Sequence, residues 1–432
     1  MKAKKQPMLL AAVVLVLTLS VILAGCGTQA ATGKTVVLRF TTWRPTDAAA
    51  FAKLNAAFEK THPNIQIKYQ PVQPTEYDSQ LSTALDTNTA ADLMYVRPFD
   101  RGYILYQSGH LLQLTDKNVP NLKNIPASQM QVYQSPHGKI YALPYIYISY
   151  GFFYNQSIFA KYSLTPPQTW HEFFHVMDVL KKNGVTPLAL GTKAGWVIDE
   201  IVSGPNYVNF LGGEKWRLAM LQGKKKFTGA GFTHYLQEID RFRNYMPQGY
   251  QGIGYTAAQK LFLAGKAAIL PGGSWEIKSL EAQNPNLKLG LFTSPVVKTG
   301  GKRWLPFNGG AGVGINTKSA HIKQDLVYVN WLASHQAQVM TGNYMPGLFP
   351  SASINPDQLT NPLVKQFITA AGPKGENFAI SWPLQYISRK EPSANTLDTD
   401  NVSRMLNGQI SPGKAAANIQ NGLATWYAPF KK

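Results

Sequence analysis

The first part of the chain alternates between a strand-like and a helix-like spacing of apolar residues. Residues 35–42 are mostly apolar and β-favouring, which predicts a strand. From Asp47, apolar side chains recur every three or four residues until His62-Pro63, which predicts an amphipathic helix. The pattern then continues as a strand, a helix and a strand over residues 65–72, 76–85 and 92–96. This β-α-β-α-β succession favours a mainly parallel sheet covered by helices.

The later part of the chain continues this alternation less regularly. We predict two strands, at residues 140–154 and 267–270. Helical spacing occurs at residues 170–182, 232–243, 256–265 and 325–340, and as a pair of helices over 397–420. The strands are too unevenly spaced for the equal units of a β/α barrel. The sequence therefore predicts an α/β protein of two lobes.

One apolar segment at the start of the chain does not fit this alternation. Lysines at positions 2, 4 and 5 precede the uncharged residues 8–25, which is the order found in a secretory signal. The segment ends in Leu23-Ala24-Gly25-Cys26, and Cys26 is the only cysteine. This ending resembles the lipobox of bacterial lipoproteins, whose signal is cut before the cysteine and whose thiol carries a lipid.

The lipobox resemblance implies a signal peptide over 1–25, lipidation of Cys26 and a short linker over 26–34. The rest of the chain would then work outside the cytoplasmic membrane, tethered to it by the lipid. The alternative is an uncleaved membrane anchor, because about eighteen apolar residues would almost span a bilayer.

Charge and composition limit the partners of the remaining chain. The net charge is +19, yet only 15% of residues are charged, against about 25% in average proteins. Basic residues run together only at Lys224-Lys225-Lys226 and no nucleic-acid motif accompanies them, so we expect no nucleic-acid partner. The scarcity of carboxylates fits an acidic exterior, since paired carboxylates lose their stabilising effect as the pH falls through their folded pKa values.

Several separated stretches share their order and spacing with a known family. They are Phe40-Thr41-Thr42-Trp43, Ala91–Tyr95, Gly151–Asn155, Pro167–Phe173, Gly265–Ile269, Gly272–Trp275 and Gly309–Asn316. Together they resemble the extracellular sugar-binding lipoproteins of ABC importers, the family of maltose- and multiple-sugar-binding proteins.

This resemblance implies a periplasmic-binding-protein-like fold, in which two α/β lobes joined by three crossings close on a sugar like a hinge. We place the crossings near Tyr145, Phe292 and Phe349. The N-terminal lobe would comprise residues 35–145 and 293–348, and the C-terminal lobe residues 146–292 and 349–432. The implied partners are an oligosaccharide and the permease subunits of the importer. We expect a monomer without a cofactor.

One literal motif points to a different function. His171-Glu172-Phe173-Phe174-His175 matches the zinc-peptidase pattern H-E-x-x-H. However, Thr169 is a natural N-cap residue and Glu172 stands three positions later, where a capping box requires it. We therefore expect a structural helix start at this segment and no metal site.

Aromatic residues beside planar polar groups indicate a carbohydrate site. The apolar faces of sugar rings stack on indole, and sugar hydroxyls bond to carboxylate, guanidinium or amide groups. Such residues occur in or beside predicted loops, and loops after parallel strands face a cleft. The candidates are Trp43, Arg44, Glu76, Arg97, Asp100, Trp196, Trp275, Glu276, Asn308, Gly310 and Trp382.

Their places in the family pattern suggest roles for some of these candidates. Trp275, after the double glycine, is the first choice for ring stacking, followed by Trp43 and Trp196. Glu76 and Asp100 are the expected hydroxyl acceptors. Arg44 is the expected donor.

We expect a lipid-anchored receptor that captures an oligosaccharide without altering it, and two alternatives remain open. A surface glycosidase would need two carboxylates that flank the sugar bond, and Glu76, Asp100, Asp199 or Glu276 could supply them. A receptor for a non-sugar solute such as a glycerol phosphate would need converging arginines, for which the chain offers Arg44, Arg97 and Arg303.

Overall fold

The computed structural model describes residues 35–74, 76–371 and 377–431. The predicted signal peptide and the linker, including Cys26, lie outside these residues. Within the described ranges, no helix combines the length and the apolar character needed to cross a membrane.

Ten strands form one continuous hydrogen-bonded arrangement in the described chain. They are β1 Val36–Thr42, β2 Ile65–Pro71, β3 Leu93–Val96, β4 Leu143–Asn155, β5 Thr186–Leu188, β6 Ala267–Gly273, β7 Leu289–Phe292, β8 Leu305–Ile315, β9 Phe349–Pro350 and β10 Phe378–Ile380. Their order is β2-β1-β3-β8-β4-β6-β5, with β10 beside β8 and with β7 and β9 beside β4.

Helices fill most of the connections between these strands. They are α1 Ala48–Thr61, α2 Tyr77–Asp86, α3 Phe99–Gln107, α4 Ala127–Met130, α5 Gln156–Lys161, α6 Trp170–Lys182, α7 Gly195–Val197, α8 Gly204–Tyr207, α9 Gly213–Leu221, α10 Ala230–Asp240, α11 Tyr255–Leu263, α12 Glu276–Gln283, α13 Ile322–Leu332, α14 His335–Tyr344, α15 Pro362–Ala371, α16 Ala394–Leu406 and α17 Pro412–Ala424. Two π-helical stretches, Ile198–Ser203 and Val208–Gly212, join α7 and α8 into one helical segment, which is separated from α9 by the positive φ angles of Gly212 and Gly213, 99° and 58°.

The long strand β4 connects two parts of the arrangement. Its first half pairs antiparallel with β8 and β9, and its second half, from Tyr150 onward, pairs with β6 and β7. Two hydrophobic cores accompany the two halves. In the first core Phe40 of β1 packs edge-on against Phe51 of α1 at 5.5 Å between ring centroids. In the second, Phe152 of β4 stacks on Phe292 of β7 at 5.2 Å.

The structure confirms the predicted α/β class and corrects the predicted strand direction. The first three strands are parallel, as the β-α-β-α-β pattern predicts, but β8, β4, β6 and β7 pair antiparallel. The pattern of the first hundred residues could not show this, because β8 enters the sheet from more than two hundred residues later in the chain. The residue ranges that we assign to the two lobes stay a prediction.

Local differences have identifiable causes. The helical stretch at 325–340 is two helices, because the Ser334 side chain accepts a hydrogen bond from the backbone N–H of Ala337 and starts a new one. The segment after Arg97, predicted as a loop, begins α3 directly after Pro98. The glycine-rich stretch 309–314 lies within β8.

Candidate functional site

Two of the predicted site residues meet where β1 and β3 end. These strands are parallel neighbours, so the residues that follow them lie at the same edge of the sheet. There the guanidinium of Arg97 lies 4.1 Å from the ring centroid of Trp43, and its Nε donates a 3.1 Å hydrogen bond to Asp78 Oδ1. Trp43 is only 6% exposed, because Tyr77 and Tyr95 pack edge-on against it. We call these five residues the Trp43 site. The sequence predicts that the Trp43 indole stacks on a sugar, but here protein side chains already cover it.

Arg44 and Glu76, the predicted donor and one predicted acceptor, differ in how far their polar atoms are already used. Arg44 donates from Nη2 to Asp47 Oδ1 at 3.3 Å and from Nε to the same buried carboxylate. Its free N–H groups could still reach a ligand, but its charge is balanced by Asp47. Glu76 is exposed just before α2 and accepts a 3.1 Å hydrogen bond from Gln80 Nε2. Glu76 therefore keeps acceptor capacity at the surface.

Asp100, the other predicted acceptor, is committed to protein groups. It is 4% exposed and accepts hydrogen bonds from the backbone N–H groups of Tyr386 and Ser388, each at 3.2 Å, and from Arg389 Nε at 2.6 Å. Phe99 and Tyr386, which flank this contact, have φ angles of 54° and 71°, a region that non-glycine residues rarely adopt. The hydrogen bonds of Asp100 therefore hold the segment 386–389 against the start of α3. It is not a free hydroxyl acceptor in this arrangement.

Trp275 has a different environment from Trp43, because part of its ring stays accessible. It follows the end of β6, and its Nε1 donates a 2.9 Å hydrogen bond to the Tyr255 hydroxyl. The Tyr150 ring meets the indole edge-on at 5.8 Å. A Cβ at Gly273 would lie 1.9 Å from Trp275 Cζ3, so the indole lies directly over a strand end that has no side chain. These contacts fix the ring plane of a half-buried tryptophan.

Glu276 is linked to this tryptophan through the Tyr255 hydroxyl. Its carboxylate is 4% exposed and accepts hydrogen bonds from the Tyr255 hydroxyl and from Gln259 Nε2. Burial raises the pKa of Glu276, and the two donated hydrogen bonds oppose that rise. The hydrogen bonds run from Trp275 to Tyr255 to Glu276, so Glu276 holds the aromatic pair in place. We call Trp275, Tyr255, Tyr150 and Glu276 the Trp275 site.

Trp196 and an acidic pair come from the helical segment that begins at α7. Trp196 is 41% exposed and meets the Tyr255 ring edge-on at 4.6 Å. Burial raises the pKa of Glu200, and the positive charges of Arg101 and Arg97 oppose that rise. The negative charge of Glu200 also acts on Tyr255. Glu200 is therefore near enough to interact electrostatically with Arg97 of the Trp43 site and with Tyr255 of the Trp275 site.

The neighbouring carboxylate, Asp199, lies deeper. It is 4% exposed, and its Oδ2 accepts a 2.8 Å hydrogen bond from Asn395 Nδ2. Its Oδ1 is buried without a partner among the described residues. Burial, and secondarily the charge of Glu200, raises the pKa of Asp199.

Our sequence reasoning missed Glu200, although a signal for it existed. Glu200 stands four positions after Trp196, and residues four apart share one face of a helix. A carboxylate on the helix face of a candidate stacking residue could have been included for that reason. The π-helical geometry around it, which is frequent at functional sites, could not be read from the sequence.

Asn308 and Gly310 lie two residues apart on β8, so they are on the same face of the strand. Asn308 pairs with Ile148 of β4, and a Cβ on Gly310 would meet Ile148 and Ile146 at 3.1 and 3.2 Å. The Asn308 Oδ1 and the Tyr150 hydroxyl are both buried without a hydrogen-bond partner in the part of the chain that the structure describes. The Asn308 side chain nevertheless lies close enough to the Tyr150 hydroxyl to oppose the rise of its pKa on burial, whereas Gly310 supplies room for isoleucine side chains.

Trp382 does not lie in the same region as the other candidates. It is fully buried in the second core, with its ring 4.8 Å from that of Phe227 and 5.5 Å from that of Phe232. The loop position that suggested a ligand contact is real, but the side chain turns inward. We correct its role to interior packing.

The H-E-x-x-H segment forms the helix start that the sequence predicts. The Thr169 hydroxyl oxygen accepts a hydrogen bond from the Glu172 backbone at 3.2 Å, and the Glu172 carboxylate accepts from the Thr169 backbone at 3.2 Å. His171 and His175 are exposed on the outer face of α6. Within the described ranges, no three metal-ligating side chains of His, Cys, Asp or Glu come together.

Comparisons with known proteins agree with this architecture. Residues 42–339 match the family model described as bacterial extracellular solute-binding protein. The chain is 27% identical over 265 residues to an uncharacterized ABC transporter extracellular-binding protein of Pyrococcus horikoshii, covering 59% of this chain and 60% of that protein. It is 26% identical over 334 residues to the multiple sugar-binding protein of Streptococcus mutans, covering 74% and 76%.

A solved structure titled chitin oligosaccharide binding protein superposes with a TM-score of 0.73 at 21% identity, over 92% of this chain and 100% of that one. At this identity the similarity concerns the fold, and it confirms the predicted two-lobed, periplasmic-binding-protein-like class. The family model covers more than half of the chain. The chain therefore belongs to the family of bacterial extracellular solute-binding proteins.

Proposed function

We propose that this chain is the sugar receptor of an ABC importer, which binds an oligosaccharide beside Trp275 and releases it unaltered to a membrane permease. The observation that carries the proposal is the fixed, half-open indole of Trp275. Its plane is set by Tyr150 and by the hydrogen bond to Tyr255, so it can stack on a sugar ring without first losing conformational freedom.

Polar groups around this indole suit the hydroxyls of a neutral sugar. Glu200 is an acceptor near the Trp275 site, and Arg97 provides donors at the Trp43 site. Trp196, 41% exposed and in contact with Tyr255, offers a second aromatic surface. Two aromatic surfaces and several spaced polar groups fit more than one sugar ring. The names of the relatives, a multiple sugar-binding protein and a chitin oligosaccharide binding protein, support the same class of ligand.

We also propose that the protein acts as a monomer outside the cytoplasmic membrane, held there by a lipid on Cys26. The lipobox-like sequence supports the anchor. Replacement of Cys26 by Ala is expected to abolish incorporation of labelled fatty acid and to release the protein from membranes. Retention of the label would contradict the proposed lipidation.

An anionic solute would have to bind to arginines that already have protein partners. Arg44 is paired with Asp47 and Arg97 with Asp78. Arg303 donates to the backbone oxygens of Ser294 and Gln168. Arg44 and Arg97 both lie beside Trp43, but each is paired with its own aspartate, and Arg303 is engaged elsewhere, so the three do not offer unpaired charge to one phosphate.

Calorimetric titration with mono-, di- and trisaccharides tests the proposal. Trp275→Ala should weaken binding of the best ligand roughly 100-fold, since it removes a stacked and desolvated aromatic surface. Trp426→Ala is the matched control, because Trp426 is also half-buried but lies outside both sites, bonded to the Pro392 carbonyl. Equal affinity in the Trp275 variant and the wild type would remove Trp275 from the site. Sugar cleavage products would favour the glycosidase alternative.

A further inference from the structure

A cavity lies on the other face of β4 from the Trp275 site. Its volume is about 300 Å³, and Tyr147 and Phe378 form part of its wall. Successive residues of a strand point to opposite faces, so Tyr147 points away from the face that carries Ile148 and Tyr150. A ligand in this cavity would therefore not compete with one stacked on Trp275.

The cavity is built from segments that are distant in the chain. Gln129 belongs to α4, Tyr147 to β4, Ser351 to the residues after β9, Thr369 to α15 and Phe378 to β10. The rings of Tyr147 and Phe378 meet edge-on at 4.9 Å. These regular elements give the cavity a defined shape.

Two polar atoms in the wall lack a partner. Gln129 and Ser351 are each 2% exposed, and neither Gln129 Nε2 nor Ser351 Oγ has a hydrogen-bond partner among the described residues. A buried donor without a partner is costly, and native proteins satisfy such groups with protein, water or a ligand. Both residues line the cavity, and a rotation of either side chain that turns its polar atom toward the cavity would let an occupant satisfy that atom.

The chemistry of the wall restricts the occupant. Among the described residues that line the cavity, none carries a charge. Aromatic and aliphatic surface faces an amide donor and a hydroxyl, which suits a molecule with an apolar face and hydroxyl groups. A volume of about 300 Å³ is at the lower end for ligand pockets. We propose that this cavity, with Gln129 and Ser351 as its polar anchors, binds a small uncharged polyol or monosaccharide independently of the Trp275 site.

D-Xylose and glycerol are suitable probes for ligand-detected NMR titration of the purified protein. The Trp275→Ala variant serves as the background, so that binding at the Trp275 site contributes little. We expect saturable binding at millimolar concentrations. The added change Thr369→Phe should weaken it at least about tenfold, because Thr369 is an exposed residue of the wall whose enlarged side chain can enter the cavity. Thr228→Phe, at an exposed position outside the cavity, should leave it unchanged.

Two further measurements keep the result interpretable. Ser353→Phe blocks the same cavity from another exposed wall position, in case Thr369→Phe does not fold. Gln129→Leu removes the unpaired donor and should weaken probe binding severalfold. Unchanged affinity in a folded cavity-blocking variant, or no saturable binding of either probe to the background protein, would overturn the proposal.

Discussion

The Trp43 site and the Trp275 site both place a tryptophan after the end of a strand, yet the two indoles differ in what covers them. Trp43 is 6% exposed, with tyrosines at its edges and Arg97 over its ring. Trp275 is half-buried, and its contacts set the ring plane while leaving part of the ring accessible. In the first site the protein itself supplies the stacking partner. In the second the aromatic contact is edge-on, from Tyr150.

The two sites also differ in whether their charged groups already have partners of opposite charge. At the Trp43 site Arg97 is paired with Asp78, and beside it Arg44 is paired with Asp47. Near the Trp275 site Glu276 is held by neutral donors, and burial raises the pKa of Glu200 despite the arginines nearby. The Trp43 site is therefore nearly complete without a ligand. We expect the Trp275 site to supply most of the binding free energy and the Trp43 site to orient the sugar.

The largest effect is expected from a single methyl group at the Trp275 site. Gly273→Ala places a Cβ where the indole of Trp275 lies, at 1.9 Å from Cζ3, so the ring must move. Sugar affinity should fall roughly 100-fold, about as far as when a stacked aromatic surface is lost. Gly252→Ala is the control, because nothing lies within 4 Å of its added Cβ. Titration calorimetry of both variants measures the difference, and equal affinities would mean that the ring position is not decisive.

Glu200 should rank next, because it interacts electrostatically with residues of both sites. Glu200→Gln keeps the shape of the side chain and removes its charge, so a charge-assisted hydrogen bond to a sugar hydroxyl becomes a neutral one. We expect affinity to fall about tenfold. Glu238→Gln, paired with Arg241 on α10, should have no effect. A Glu200 variant that binds as the wild type does would restrict the site to aromatic contacts.

The pH dependence of stability tests the carboxyl groups that are buried without a basic partner, of which Asp325 is one. Asp325 is fully buried in α13, and burial raises its pKa to about 7. Its pKa in the unfolded chain is about 3.9, so the native state holds the proton more tightly, and stability is lost as the pH rises from about 4 to about 7. Asp325→Asn should raise the free energy of unfolding at pH 7.5 by about 1 kcal/mol, since the new amide also needs partners and offsets part of the gain.

Urea unfolding at pH 5 and pH 7.5 checks this expectation. The wild type should be more stable at pH 5, and the difference should shrink in Asp325→Asn. Burial raises the pKa of Asp199 in the same direction. A wild type that loses stability between pH 7.5 and pH 5 would contradict both this account and the interpretation of the low carboxylate content as an adaptation to acid.

The smallest effect is expected at the Trp43 site. Arg97→Gln removes a guanidinium that is already engaged by Asp78 and by the Trp43 ring, so we expect affinity to fall only about threefold. Arg241→Gln is a matched control, because Arg241 also lies over an aromatic ring, that of Phe174, and pairs with Glu238. A loss of 100-fold in the Arg97 variant would reverse the ranking of the two sites.

The sequence predicted the elements well where local pattern decides them. Helix α6 begins at Trp170 with the capping box that Thr169 and Glu172 predict. The elements β1, α1, β2 and β3 form where the spacing of apolar residues predicts them. Strand direction in the second half depended on pairing between distant segments, such as β8 with β3 and β4, which no local window contains.

Side-chain direction explains what could not be predicted at the site. A tryptophan that the sequence places in or beside a loop can turn outward, as Trp196 does, or inward, as Trp382 does, and the outcome depends on whether a distant apolar cluster packs around it. Phe227 and Phe232, which surround Trp382, stand about 150 residues earlier in the chain. Likewise the partners of Asp100 lie almost three hundred residues away, so its commitment to Arg389 had no local signal.

Fluorine NMR of protein labelled with 5-fluorotryptophan tests the central claim most directly, with resonances assigned by single Trp→Phe variants. As the best-binding oligosaccharide is added, the Trp275 resonance should shift saturably with the midpoint found by calorimetry, while those of Trp382 and Trp426 stay in place. A sugar that binds by calorimetry but leaves the Trp275 resonance unmoved would contradict the claim that the accessible face of this indole holds the ligand.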